Sequence, residues 1–278
     1  MKIFTSKSEL SDALKDLKAQ KNQIGLVPTM GALHDGHISL IGIARNQSDI
    51  VVCSIFVNPT QFTDPSDLEK YPRTVEEDIK KLEAGGCDIL FLPEVTEMYG
   101  QNEKWEIDLG YLENILEGAS RPGHYQGVTQ IVYKLFQLTS PDKAFFGQKD
   151  YQQVLVIKKM IETFQLPVEL VMCPIQRNGE GLALSSRNVH LSATETQHAY
   201  TISRALFKIK EYASESNPIK LREIGLEILR GEPAIKIDYC EILDKDTLKQ
   251  PDAKTEGLVA LIAASVGKTR LIDNMILN

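Results

Sequence analysis

Ile24-Gly25-Leu26-Val27-Pro28-Thr29-Met30-Gly31-Ala32-Leu33-His34-Asp35-Gly36-His37 is the stretch whose reading decides the fold. Residues 24–27 are a short apolar run suited to a buried parallel strand, and Ile38, Leu40, Ile41 and Ala44 recur at the spacing of a covered helix face. What lies between is predicted to be a strand-to-helix turn at the carboxyl edge of a sheet, carrying two imidazoles three residues apart. A helix amino terminus offers unpaired N–H groups and a positive partial charge, which suits the 31–36 turn to phosphate oxygens. Histidine adds a donor that gains a proton near neutral pH. Together they suit a triphosphate attacked at its α-phosphorus while pyrophosphate leaves, because negative charge builds there in the transition state. A purely architectural reading stands beside this one: one histidine caps the helix and the other packs.

Outward from the turn, strand-like and helix-like patterns alternate. Residues 50–57 are a continuous apolar run rich in β-branched residues; Val75, Ile79 and Leu82 space a helix that Gly85-Gly86 ends; 88–92 is the next strand. Val128, Ile131, Val132, Leu135 and Phe136 mark a helix before a strand at 143–146, and Tyr151, Val154, Leu155, Lys158 and Ile161 mark another before a strand at 168–172. This predicts an α/β fold with a parallel sheet covered on both faces, in which ligands bind beyond the carboxyl ends of the strands. After Cys173-Pro174 the polar stretch 176–181 reads as a hinge, and Ser192-Ala193-Thr194-Glu195 as a capping box for a helix running to Tyr212. A second helix at 221–229 and strands at 235–243, 258–265 and 269–273 complete a smaller α+β domain. The expected division is therefore 1–175 and 176–278.

At 278 residues, 42% hydrophobic and 25% charged, the chain has the composition of a globular protein with a sizeable core. Its net charge of −7 argues against a nucleic-acid partner. No apolar segment is long enough for a membrane span, and Met1-Lys2-Ile3-Phe4 leads into charged residues, so the expected location is the cytoplasm. Cys53, Cys87, Cys173 and Cys240 stand far apart in apolar runs, as buried small hydrophobes do, and no zinc site is expected. Two resemblances to nucleotide motifs fail. Gly267-Lys268-Thr269 has Ile262 where a phosphate loop needs glycine, and reads as a hairpin turn; Gly179-x-Gly181 has Leu184 where a dinucleotide fingerprint needs its third glycine.

Further constellations sit at strand ends. Asn58 and Gln61 follow the strand expected beside the first, where amides would read hydroxyl and carboxylate groups; an ordinary proline turn explains Asn58 equally well. Glu76-Glu77-Asp78 complements a helix dipole, while Asp78, and less so Glu77, is also a candidate for holding magnesium on a triphosphate. Arg121 and His124 lie in a glycine-bearing loop and receive no assigned role. Gly147-Gln148-Lys149-Asp150 repeats the strand, glycine turn and helix of the first motif; Lys149 suits a phosphate oxygen, with Gln153 one turn on. Ser185, Ser186 and Arg187 set two hydroxyls and a guanidinium side by side after the hinge, a set that suits β- and γ-phosphates.

Read in order, T-M-G-A-L-H-x-G-H, F-V-N-P-x-Q-F, Y-P-R-T, R-P-G-H-Y, F-G-Q-K-D-Y-Q-Q and L-S-S-R-N resemble the pantothenate synthetase family, densely over 24–191. The resemblance implies a Rossmann-like nucleotidyltransferase domain followed by a smaller lid domain, in a homodimer. It also implies condensation of (R)-pantoate with β-alanine, using ATP with Mg2+. Pantoate would attack the α-phosphate to form pantoyl adenylate, and the β-alanine amine would then expel AMP. By motif position, Met30, Gly31, Ala32, Leu33, His34, Asp35, Gly36 and His37 would line the ATP site, with His37 acting toward the phosphates and His34 beside it. Gln61 and Gln153 would hold pantoate, with Asn58 assisting. Gly147, Gln148, Lys149, Asp150, Gln176, Leu184, Ser185, Ser186 and Arg187 would contact nucleotide, Lys149 also being catalytic. Two positions depart from the family pattern: Gln148 stands where glutamate is common, and Glu77 where aspartate is expected.

Overall fold

Six short segments with apolar, often β-branched cores pair in parallel in the computed structural model, which describes residues 1–101 and 103–277. In chain order the first part runs β1 (Lys2–Phe4), α1 (Lys7–Ala19), β2 (Ile24–Thr29), α2 (Asp35–Arg45), β3 (Ile50–Ile55), α3 (Pro65–Lys70), α4 (Val75–Ala84), β4 (Ile89–Phe91) and α5 (Val95–Met98). It continues with α6 (Leu116–Ser120), α7 (His124–Thr139), β5 (Lys143–Gly147), α8 (Tyr151–Phe164) and β6 (Glu169–Cys173). The sheet order is β1-β4-β3-β2-β5-β6. From β2 the chain steps to β3 and β4 on one side, and later to β5 and β6 on the other, so the order reverses between β2 and β5. In sheets of this kind ligands bind beyond the carboxyl ends of the strands at such a reversal.

The strands are apolar because both sheet faces are covered. Ile24, Leu26, Val27, Val51, Val52, Leu90, Phe91 and Phe145 are all buried. Each such side chain withdrawn from water contributes about 1.5–3 kcal/mol. On α2, Leu40, Ile41 and Ala44 pack into this core, as their spacing predicts.

The chain divides into two compact units: Met1–Gly147 with Gln152–Cys173, and Gln148–Tyr151 with the residues from Pro174 onward. The second holds α9 (Ala193–Glu211), α10 (Pro218–Arg230), β7 (Ile235–Asp244), β8 (Leu258–Val266) and β9 (Thr269–Ile276), the strands forming an antiparallel sheet in that order. Leu206 and Ile209 of α9, Leu221 and Leu229 of α10, and Ile262 and Val266 of β8 share its core. Ser192 and Glu195 form the expected capping box on α9, and Gly267-Lys268 is the turn of the β8–β9 hairpin. The α/β class with a small second sheet agrees with the sequence. The grouping of 148–151 with the second unit departs from the expected boundary, because β9 holds that turn. Asn278, the last residue of the expected second domain, lies outside the described residues. All four cysteines are buried and free of disulfides, and among the described residues no helix is long and apolar enough to cross a membrane.

Candidate functional site

Beyond β2 the backbone turns through two successive left-handed residues, Gly31 at φ +83° and Ala32 at φ +51°. Glycine adopts this conformation freely, whereas for alanine it costs about 1–2 kcal/mol. Asp78, in the first turn of α4 and fully buried, holds the turn in place. Its Oδ2 accepts the Ala32 N–H at 2.9 Å and its Oδ1 the Leu33 N–H at 2.8 Å, and the Thr74 hydroxyl lies 3.2 Å from Oδ1. Lys81 Nζ donates to the Leu33 carbonyl at 2.6 Å. Three bonds from the protein thus fall on the Asp78 carboxylate, which anchors the turn.

The next two histidines build a capping box out of imidazole rings. His34 is the N-cap of α2, and its Nδ1 accepts the Gly36 N–H at 3.1 Å; His37 Nδ1 accepts the His34 N–H at 3.3 Å. The rings lie against each other with centroids 4.1 Å apart. A ring nitrogen that accepts an N–H carries no proton, so each neutral ring holds its proton on Nε2. Capping and function are thus not alternatives here: the cap sets the tautomer. It also alters the expected anion cradle. Gly31, Ala32, Leu33, His34, Gly36 and His37 all give their N–H groups to acceptors within the protein. The turn's donors to a phosphate are therefore chiefly ring N–H groups, with few backbone amides left over.

A buried amide network adjoins this turn. Gln61 sits in the short 3-10 helix Pro59–Gln61 after β3, and its Nε2 lies 2.8 Å from Met30 Sδ. Its Oε1 accepts from Asn58 Nδ2 at 3.1 Å, and the same Nδ2 donates to the Gly127 carbonyl at 3.0 Å. Asn58 Oδ1 accepts the Tyr99 hydroxyl at 2.6 Å and the Thr60 hydroxyl at 3.1 Å. Asn58 is 1% exposed, and its amide groups are met inside the protein, where they hold Gln61. The close fit depends on Gly127: a Cβ there would lie 2.3 Å from the Thr60 carbonyl oxygen. His124, also buried, places Nδ1 2.7 Å from the Gln61 carbonyl and Nε2 3.3 Å from Arg121, which makes it part of the same scaffold. Gln153 is half-buried in the first turn of α8. Its neighbour Gln152 is buried and ties down α6 through Glu117 N–H and the Leu112 and Ile115 carbonyls.

In the second unit, Gln148–Asp150 form a 3-10 turn gripped by Asn274 of β9. Asn274 Nδ2 donates to the Gln148 and Lys149 carbonyls, each at 2.9 Å, and its Oδ1 accepts from Gln148 Nε2 at 3.1 Å. Lys149 Nζ lies 3.2 Å from Asp150 Oδ2. Beneath them Asp273 is paired with Arg177 through two bonds of 2.6 and 2.9 Å. Burial pushes the Asp273 carboxyl up, and the guanidinium opposes that shift. Gln176 and Leu184 pair through their backbones, and Ser185 caps the short helix Ser186–His190 by accepting the Arg187 N–H at 3.2 Å, with Arg187 exposed.

The structure brings together Met30, Gln61, Asn58 and the imidazole turn in one unit, and groups Gln148, Lys149 and Asp150 on β9 in the other. Tyr99, Lys81 and Asn274, which complete these arrangements, carried no sequence signal. Each stands in or beside an ordinary-looking element, and its role comes from a partner more than 40 residues away.

Known proteins match this chain over its whole length. The model of the family described as pantoate-beta-alanine ligase matches residues 2–276. The chain is 44% identical over 277 residues to the pantothenate synthetase of Bacteroides fragilis, covering 99% of this chain and 98% of that protein. It is 45% identical over 281 residues to that of Fervidobacterium nodosum, covering both chains fully. The crystal structure of pantothenate synthetase from Thermus thermophilus superposes with a TM-score of 0.94 at 40% identity, covering 100% of this chain and 99% of that one. The Francisella tularensis enzyme, complexed with beta-gamma ATP and beta-alanine, superposes at 0.82 with 36% identity, covering 100% and 98%. Matched end to end in both sequence and fold, this chain belongs to the pantoate–β-alanine ligase family.

Proposed function

We propose that this ligase joins (R)-pantoate to β-alanine in two steps, through pantoyl adenylate, releasing pyrophosphate and then AMP. The observation that carries the proposal is the Gln61 amide lying against Met30 at the start of the imidazole turn. An acid-binding donor and a pair of ring N–H groups then share the carboxyl end of the β2–β3 pair. The pantoate carboxylate attacks the α-phosphorus while the Nε2–H groups of His34 and His37 offset the charge that builds on phosphate oxygens. Gln61 and Gln153 hold pantoate. Lys149, Ser185, Ser186 and Arg187 supply cation and hydroxyl donors for phosphate oxygens, and Asp150 a ribose contact. Adenylation converts a poor acyl donor into one with a good leaving group, so the amine of β-alanine completes the reaction.

Mg2+ enters as part of the nucleotide. Asp78 is the candidate side chain for it, its carboxylate also anchoring the turn through Ala32 and Leu33. Such an ion is otherwise held by the phosphates and water. A lid role for 176–278, a homodimer and a cytoplasmic location, implied by the resemblance, belong to the same proposal.

The test is AMP and pyrophosphate release from ATP with pantoate, with and without β-alanine. Sustained AMP release that requires both acceptors supports the reading; release indifferent to β-alanine refutes it. A protein that only binds nucleotide would release no pyrophosphate.

A further inference from the structure

Gln61 can present either its carbonyl or its N–H2 to a ligand, and the two choices select opposite chemistries. The surrounding network decides between them. The Gly127 carbonyl accepts only, so Asn58 must turn Nδ2 toward it; the second Nδ2 proton then points to Gln61 Oε1, and Asn58 Oδ1 is left facing the hydroxyls of Tyr99 and Thr60. Gln61 Oε1 is therefore engaged inward, and its Nε2 lies on the Met30 side.

Tyr99, immediately after α5, makes the shortest bond of this set, 2.6 Å, and its ring is fixed between Phe56, 6.1 Å away between centroids, and Lys134 Nζ, 5.3 Å from its centroid. Lys134 is itself held by Glu103 at 2.5 Å. Burial pushes the Tyr99 phenol up to about 12, so it remains a donor throughout the neutral range.

Building on the role of Gln61 proposed above, we propose that Tyr99 is a positioning residue for the acid substrate: acting through Asn58, it locks Gln61 as an N–H donor that accepts only a ligand oxygen with a lone pair to offer. The Tyr99 hydroxyl is engaged by Asn58 and Thr60. Its effect is therefore confined to the pantoate half-site.

The experiment is a double-mutant cycle of Tyr99→Phe and Gln61→Ala in the full-length enzyme, with steady-state constants for pantoate and ATP and a thermal melt for each variant. Tyr99→Phe removes one oxygen atom. It is expected to raise KM for pantoate about three- to tenfold while leaving kcat and KM for ATP within about twofold. In the Gln61→Ala background the same change should move KM for pantoate less than about twofold. Thr60→Ala, which removes the second donor to Asn58 Oδ1, should raise KM for pantoate in the same direction but less. An unchanged KM for pantoate in Tyr99→Phe, an equal rise in KM for ATP, or full additivity with Gln61→Ala would overturn the inference while leaving Gln61 as a pantoate ligand. Normal pantoate binding by Gln61→Ala would overturn the role of Gln61, and the inference with it.

Discussion

The two glycine-marked turns that follow β2 and β5 share an order of strand, turn and helix and are opposite in polarity of support. The first, Gly31–Leu33, is held by a carboxylate: Asp78 accepts two consecutive backbone N–H groups. The second, Gln148–Asp150, is held by an amide: Asn274 donates to two consecutive backbone carbonyls. The first grip takes up backbone N–H groups and sits beside the imidazole rings, whereas the second takes up carbonyls and sits beside the Lys149 ammonium. The same handhold, two neighbouring peptide groups gripped by one buried side chain, thus prepares one turn to present imidazole and the other to present a cation.

Replacing the ring that both caps and donates should give the largest effect. His37→Ala is expected to lower kcat about a hundredfold or more. His37→Asn, which keeps an acceptor for the His34 N–H, should restore stability but not rate. Urea unfolding beside AMP-release kinetics separates the two. If the asparagine variant recovered activity, the donor role of Nε2 would fail.

Breaking the first handhold comes next. Asp78→Ala leaves two buried N–H groups without their acceptor and should destabilise the first unit by about 3 kcal/mol, read as a lower urea midpoint. Asp78→Asn, which keeps one acceptor, should fall between. A wild-type midpoint in the alanine variant would remove the basis of the comparison.

Asn274→Leu breaks the second handhold, and the expected loss is smaller because two neutral carbonyls are released in place of a buried charge: about 1–3 kcal/mol, with KM for ATP raised as Lys149 loses its fixed backbone. Gln148→Glu sharpens the point. It sets a carboxylate against Asn274 Oδ1, so KM for ATP should rise in the same direction by a lesser amount.

The smallest effect belongs to the other capping box. The Ser192 N–H donates to Glu195 and holds its carboxyl below the usual range. Its folded value is thus depressed, so the contribution to stability is present above the unfolded pKa of about 4.3 and is lost as pH falls through the folded value. Thermal melts of Glu195→Gln against wild type should differ at pH 7 and converge toward acid pH. A difference that persisted unchanged at low pH would show that the charge is not what stabilises the cap.

Much of this protein could be read along the chain because the signals are local. The apolar runs of β2, β3 and β5, the helix spacing of α2 and α7, the Ser192–Glu195 box and the Gly267 hairpin are properties of a few neighbouring residues. The three-residue edge strand β1 escaped notice because it is too short to show a period and is formed by its pairing with β4, some 87 residues later.

What the sequence by itself determined is therefore the alternation that makes a parallel sheet, the places where its strands end, and the chemical types gathered at those ends: imidazole, amide, ammonium. What only the tertiary structure decided is how each is aimed. Lys81, Tyr99 and Asn274 have nothing local to mark them, and the partners of Asp78 and Asn58 come from distant segments. The reason is physical. A hydrogen bond's direction depends on the geometry of both groups, and here the second group is brought in by strand order and helix packing from tens of residues away.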